Sequence, residues 1–201
     1  MSSEKASLRR TIRAARREFV DKEAASKTIV EQVLAMPTYR DAKCVLWYLD
    51  VRDEVRTLDG VRRALSQQAS VAIPWCDEKE LRLFRLRDLA ELETGRFGIL
   101  EPRVSLRFED DRLVNADSVD VTLVPGVAFD LSGGRLGHGA GFYDRFLSLG
   151  GGTRVGLAFE CQLVDAVPMA DHDVRVDWLV TESRVWDCRR GLGVHVCDSP
   201  W

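Results

Sequence analysis

The sequence predicts an α/β fold: a single-domain, three-layer sandwich with a mostly parallel sheet, helices on both faces and an N-terminal helical segment. Three observations carry this expectation. Short apolar runs bounded by charges alternate with amphipathic stretches, the pattern of strands buried on both faces and helices covering them. A strand–helix–strand unit of the expected size fits between residues 44 and 74. The 201 residues, 45% hydrophobic and 30% charged, suffice for one full core. No Pro/Gly/Ser linker or internal repeat divides them, so residues 1–201 are expected to form one domain.

The elements follow in order. From Ser3 to about Met36 the chain reads helical: Leu8, Ile12, Ala15 and Phe19 recur at three- and four-residue spacing, with arginines on the other face. Asp21 is placed to cap a second helix with the apolar line Ala25, Ile29 and Val33, which Met36-Pro37 ends. "CVLWYL" (44–49) suits a buried strand, "TLDGVRRALSQQ" an amphipathic helix with Thr57 at its N-cap, and "SVAIP" a second strand. "LRLFRL" (81–86) alternates, as a half-exposed strand does. "VDVTLVPG" (119–126), "RVGLAF" (154–159) and "DWLVTE" (177–182) add strands, with "GFYDRFLSL" a helix between the first two. In open parallel sheets ligands sit beyond the carboxyl ends of strands, and that is where residues 126–141 should fall.

Charge and composition exclude several classes. A net charge of −3 argues against a general nucleic-acid binder. Residues 1–22 are the exception, with seven Lys or Arg against three acids. The five cysteines (Cys44, Cys76, Cys161, Cys188, Cys197) and three histidines are scattered, with no CxxC pair, so neither a zinc site nor a disulfide framework is expected. No apolar run approaches the length of a membrane span and no signal-peptide pattern opens the chain. A soluble cytoplasmic protein is expected.

"RLGHGAGFYDRFL" (135–147) holds the most chemistry. Three alternating glycines let the backbone approach a ligand and turn N–H groups toward it, and a helix N-terminus follows. Arg135 adds a fixed positive charge at the rim. The spacing matches neither the dinucleotide-binding G-x-G-x-x-G nor the P-loop, and glycines at a strand–helix junction also serve turns alone. The acidic candidates are Glu54, Asp144, Asp171, Asp173 and Asp177. Each alone reads as a cap or surface acid, although Mg²⁺ held by one or two carboxylates and nucleotide phosphates would look as sparse. Lys5 and Arg9, at i and i+4, share a helix face that could reach a triphosphate or simply meet solvent.

Taken in order, these pieces resemble the 5-formyltetrahydrofolate cyclo-ligase family, also called methenyltetrahydrofolate synthetase. The resemblance runs through "KASLR", the acid in "VRDEV", "GILEP" (98–102), "LVPGVAFD", "GGRLGHGAGFYDRFL" and "HDVRVDWLVTE", from Lys5 to Glu182. It implies conversion of 5-formyltetrahydrofolate to 5,10-methenyltetrahydrofolate with ATP and Mg²⁺, releasing ADP and phosphate. It further implies that Lys5 and Arg9 grip ATP and that Arg135, Gly137, Gly139, Gly141 and Tyr143 wrap its phosphates. Leu49, Glu54, His138, Gly139, Ala140, Gly141 and Phe142 would contact folate, Arg135 and His138 would serve catalysis, and Asp144 and Asp173 would hold Mg²⁺. Phe97 would add an aromatic wall. The partners implied are small molecules, with no nucleic acid or membrane, and the chain is expected to act as a monomer.

The chain departs from the family pattern at four places. Phe142 stands for the commoner tyrosine, Ala140 for glycine or lysine, His138 for tyrosine or arginine, and Trp75 for an arginine after Pro74. No essential charge is lost by these changes. Two other classes fit less well. A folate- or nucleotide-binding regulator without turnover has no need of the acids. A sugar-phosphate isomerase or CoA-transferase-like enzyme rests on fold analogy, with Glu54 its one candidate base.

Overall fold

The computed structural model describes residues 3–67, 70–77, 80–95 and 98–194. The chain opens with helices α1 (Ser3–Glu18), α2 (Lys22–Ala35) and the single turn α3 (Pro37–Arg40), then strand β1 (Cys44–Leu46), helix α4 (Leu58–Ser66) and strand β2 (Ser70–Asp77). Strands β3 (Glu80–Leu86), β4 (Leu92–Thr94), β5 (Leu100–Pro102), β6 (Leu113–Val114) and β7 (Val121–Val124) follow. A small hairpin of β8 (Ala128–Phe129) and β9 (Arg135–Leu136) leads into helix α5 (Phe142–Leu149). The chain continues through β10 (Thr153–Leu157), β11 (Trp178–Val180), β12 (Val185–Asp187) and β13 (Leu192–Val194).

Nine strands form one sheet in the order β13-β12-β11-β10-β7-β1-β2-β3-β6. The five central strands, β11 to β2, run parallel, and antiparallel strands extend both edges. The sequence explains the division. β1 and β7 are buried at every position, as strands covered on both faces must be, whereas β3 mixes exposed and buried residues.

Alternation along β1 feeds two cores. Val45 and Trp47 pack with Ile29, Val33, Val61 and Ala64 of α2 and α4, while Cys44 and Leu46 pack with Phe146 and Leu147 of α5. This is the three-layer arrangement. The fully buried Trp47 sets one sequence choice in α4. A Cβ on Gly60 would run into its ring, and Val30 stands 3.1 Å away on the other side. A glycine inside a helix, unfavourable by about 1 kcal/mol against alanine, therefore makes room for the largest side chain of the core.

Two expected caps are used differently. Asp21 occupies the N-cap of α2 but makes no side-chain cap bond. Thr57 occupies the N-cap of α4, yet its hydroxyl donates to the Tyr48 carbonyl at 2.6 Å, tying the helix start to the end of β1. The segment after residue 183 adds β12 and β13 to the sheet edge beside β11. Cys197 lies outside the described residues.

α1 stands apart from the sheet. Its Leu8 and Ile12 pack on Val127, Ala128, Leu136 and Val167, the loops beyond β7. Arg16 is buried and donates to the Gly126 carbonyl at 3.2 Å. A basic helix is thus clamped across the carboxyl end of the sheet.

Candidate active site

The strand order turns at β1, which has β2 on one side and β7 on the other. Crossovers leave in opposite directions at such a point and open a crevice beyond the strand ends. A cleft of about 990 Å³ lies there. Tyr48 and Leu49 after β1, Trp75 and Cys76 in β2, and Pro125 after β7 form its floor. The first turn of α1, the loop 135–144 and residues 168–173 form its walls.

Every residue singled out from the sequence lines this cleft except Phe97, which lies outside the described residues, and Asp171 and Asp177. Asp177 accepts the Arg154 amide at 2.8 Å and serves the sheet instead. Asp171 is exposed.

The glycine loop begins on a rigid hairpin. Asp130, buried in the turn between β8 and β9, accepts the Ser132 and Gly134 amides, the Ser132 hydroxyl and the Val167 amide at 2.7–2.9 Å. Burial alone would raise its carboxyl, but these donors outweigh it and hold the group below its ordinary value. Gly139 and Gly141 then adopt φ of 109° and 69°, a left-handed backbone suited to glycine, and Gly141 occupies the N-cap of α5. Arg9 Nε donates to the Gly137 carbonyl at 2.8 Å and Arg145 Nη1 to the Ala140 carbonyl at 3.1 Å. Phe142 lies under the Arg145 guanidinium at 5.1 Å.

Five charged residues gather on one wall. Lys5 forms an ion pair with Asp173, which also accepts the Ala170 amide at 2.7 Å. Burial raises the Asp173 carboxyl, but Lys5 and the amide overcome it and keep the group below its ordinary value. Arg135, 2% exposed, donates to Asp144 Oδ1 at 2.7 Å and lies 5.7 Å from the Tyr143 ring. Burial, then the Arg13 charge, pull Arg9 below its ordinary value, with Asp173 opposing. This wall offers positive charge at the mouth of a strand–helix loop, the arrangement that binds phosphates.

The other wall is apolar around one acid. Glu54 is buried, accepts the Val51 amide at 3.1 Å on Oε2, and meets His138 Nε2 at 2.9 Å on Oε1. Burial first, then the Glu54 charge, push the Tyr48 and Tyr143 phenols upward, so both stay protonated. Trp75, Leu81, Ile99 and Leu100 complete this side. Arg107 covers the Trp75 ring at 5.0 Å and is anchored by Glu101 at 3.0 Å.

The charged wall includes two carboxylates, Asp144 and Asp173, and among the described residues no three His, Cys, Asp or Glu side chains are placed to enclose a cation. The pair still suits Mg²⁺, which keeps water and phosphate oxygens in its shell. Asp144 engages only its Oδ1 among the described residues, leaving Oδ2 for a ligand.

Sequence reasoning missed Arg13, Tyr48, Met169 and His172. Arg13 donates from Nη2 to His138 Nδ1 at 3.2 Å. Extending the Lys5–Arg9 spacing by four more residues would have found it. Tyr48 carries no such signal, because an aromatic side chain after a buried strand reads as core, and Met169 lies in the loop before β11 with no motif around it.

Comparison with known proteins places the chain in a family. The 5-formyltetrahydrofolate cyclo-ligase family model matches residues 1–182. A probable 5-formyltetrahydrofolate cyclo-ligase of Schizosaccharomyces pombe is 29% identical, the match covering 92% of this chain and 98% of that protein. A 5-formyltetrahydrofolate cyclo-ligase of Haemophilus influenzae is 31% identical over 75% of this chain and 81% of its own. The 5,10-methenyltetrahydrofolate synthetase of Aquifex aeolicus superposes with a TM-score of 0.81 at 34% identity, covering 95% and 96% of the two chains. The chain belongs to the 5-formyltetrahydrofolate cyclo-ligase family of enzymes.

Proposed function

We propose that the enzyme converts 5-formyltetrahydrofolate to 5,10-methenyltetrahydrofolate with ATP and Mg²⁺, releasing ADP and phosphate. One observation supports this reading above the others: a cationic wall and an apolar wall around a buried acid share one cleft, joined by loop 135–144. Such a site suits a substrate pair of triphosphate and pterin.

The N-formyl group is an amide, and its oxygen is a poor leaving group. In the proposed reaction the γ-phosphoryl group passes to that oxygen, ADP leaves, and N10 attacks the activated formyl carbon. Phosphate then departs with the former formyl oxygen and the N10 proton, closing the ring. The protein supplies alignment and charge rather than a nucleophile. Lys5 and Arg9 hold ATP, and Arg135 with the 137–143 backbone meets the moving phosphoryl group. Leu49, Glu54, the His138 backbone and residues 139–142 hold folate, Glu54 pairing with the N–H donors of the amino-pyrimidine ring. Asp144 and Asp173 would hold Mg²⁺, which when bound neutralises phosphate charge.

We assign this activity to one cytoplasmic domain acting as a monomer on small molecules. Among the described residues no helix is long and apolar enough to cross a membrane. Mixing enzyme, MgATP and 5-formyltetrahydrofolate should raise the near-ultraviolet methenyl absorbance in step with ADP release. Binding of both ligands without either signal would leave a regulator rather than an enzyme.

A further inference from the structure

Glu54 is a carboxylate with only 6% of its side chain exposed, and a charge so buried must be matched by donors. The Val51 amide supplies one at Oε2 and His138 the other at Oε1. His138 is differently placed, with 45% of its side chain exposed, and its second ring nitrogen is held by Arg13. A guanidinium can only donate. Nδ1 therefore carries the lone pair, and the proton sits on Nε2, aimed at Glu54. The hydrogen-bond network assigns this tautomer. Arg13, His138 and Glu54 form a directed chain from α1 through the glycine loop to the segment after β1.

This arrangement bears on how the substrate enters, given the proposed pairing of Glu54 with the pterin. Adjacent N–H donors on a planar ring engage a carboxylate through both oxygens. His138 occupies one of them. His138 also lines the cleft beside Glu54, so its ring and the substrate compete for the approach to Oε1.

We propose that His138 is a gate on the folate half of the cleft, displaced from Glu54 by the substrate's own donors. Arg13 is its positioning residue: it fixes the Nε2–H form and retains the ring by Nδ1 when Oε1 is given up. The exchange favours only ligands that bring paired donors. A ligand without them leaves a buried carboxylate half-satisfied or leaves His138 in its path. The ring is half-exposed, so the displaced Nε2–H turns to solvent, and the discrimination lies in Glu54 and the ligand.

Two measurements without ATP test this. ¹⁵N NMR of histidine-labelled protein should report the Nε2–H tautomer for His138, with the Nδ1 resonance moved in Arg13→Met and restored in Arg13→Lys. Adding 5-formyltetrahydrofolate should shift the Nε2 resonance and spare Nδ1. In calorimetry, His138→Ala should bind 5-formyltetrahydrofolate on the order of three- to tenfold more tightly, the worth of one competing hydrogen bond. An Nδ1–H tautomer in the wild type, or unchanged or weaker folate binding by His138→Ala, would overturn the gate alone. Absence of folate binding by the wild type would overturn the functional reading, and the gate with it.

Discussion

Lys5 and Asp173 form an ion pair across 168 residues of sequence, tying the first turn of α1 to the loop that precedes β11. The pair brings together the cation proposed for ATP and an acid proposed for Mg²⁺. Both groups keep some exposure, so neither is locked away from a ligand.

Replacing the lysine separates binding from folding. Lys5→Met should weaken ATP binding by at least about tenfold, the worth of one charge-assisted contact, and leave 5-formyltetrahydrofolate binding unchanged. Paired calorimetric titrations check this. Equal losses for both ligands would mean that Lys5 supports the cleft as a whole.

The two acids should respond alike in Mg²⁺ dependence and differently in stability. Asp144→Asn and Asp173→Asn should both raise the Mg²⁺ concentration needed for turnover. Asp144→Asn also removes the counter-charge of Arg135, which is 2% exposed, and should cost about 1–3 kcal/mol of stability. Asp173→Asn removes one ion pair between partly exposed groups, keeps an acceptor for the Ala170 amide, and should cost about 1 kcal/mol or less. Mg²⁺ titrations and thermal melts of the two variants, compared side by side, measure both effects.

Asp130 sets an acid limb of stability. Its folded value lies below the ordinary 3.8, so its contribution is complete above that pH and is lost as pH falls through the depressed value. Asp130→Asn should flatten the melting temperature against pH below about pH 4. It should also cost about 2 kcal/mol or more at neutral pH, since the Ser132, Gly134 and Val167 donors lose a carboxylate acceptor. An unchanged acid limb would show that other carboxylates govern it.

At Gly60 helix propensity and packing oppose one another. Alanine would gain about 1 kcal/mol in an open helix, but here its methyl group meets Trp47 and should cost about 1–3 kcal/mol. Urea unfolding of Gly60→Ala should therefore show net destabilisation. A stabilised variant would mean that the Trp47 ring shifts freely.

Most of the architecture was legible because it rests on long periodic segments. The central strands, α2, α4 and α5 follow from apolar runs and helical spacing. The edge strands β12 and β13 and the β4–β5 hairpin were not legible, since two or three residues are too few to establish alternation. Thr57 shows another limit: a hydroxyl before a helix looks like a cap whether it bonds to the helix or to Tyr48. The residues that line the cleft were readable from the motifs, but their pairings were not. Lys5 with Asp173 and His138 with Glu54 join residues 168 and 84 apart, and no local pattern encodes such contacts.

The central claim is that this cleft brings ATP's γ-phosphate to the formyl oxygen. Turnover of 5-formyltetrahydrofolate carrying ¹⁸O in its formyl group, followed by mass analysis of the released phosphate, tests it most directly. The account predicts one ¹⁸O in each phosphate formed. Phosphate free of the label, with methenyltetrahydrofolate still produced, would contradict it.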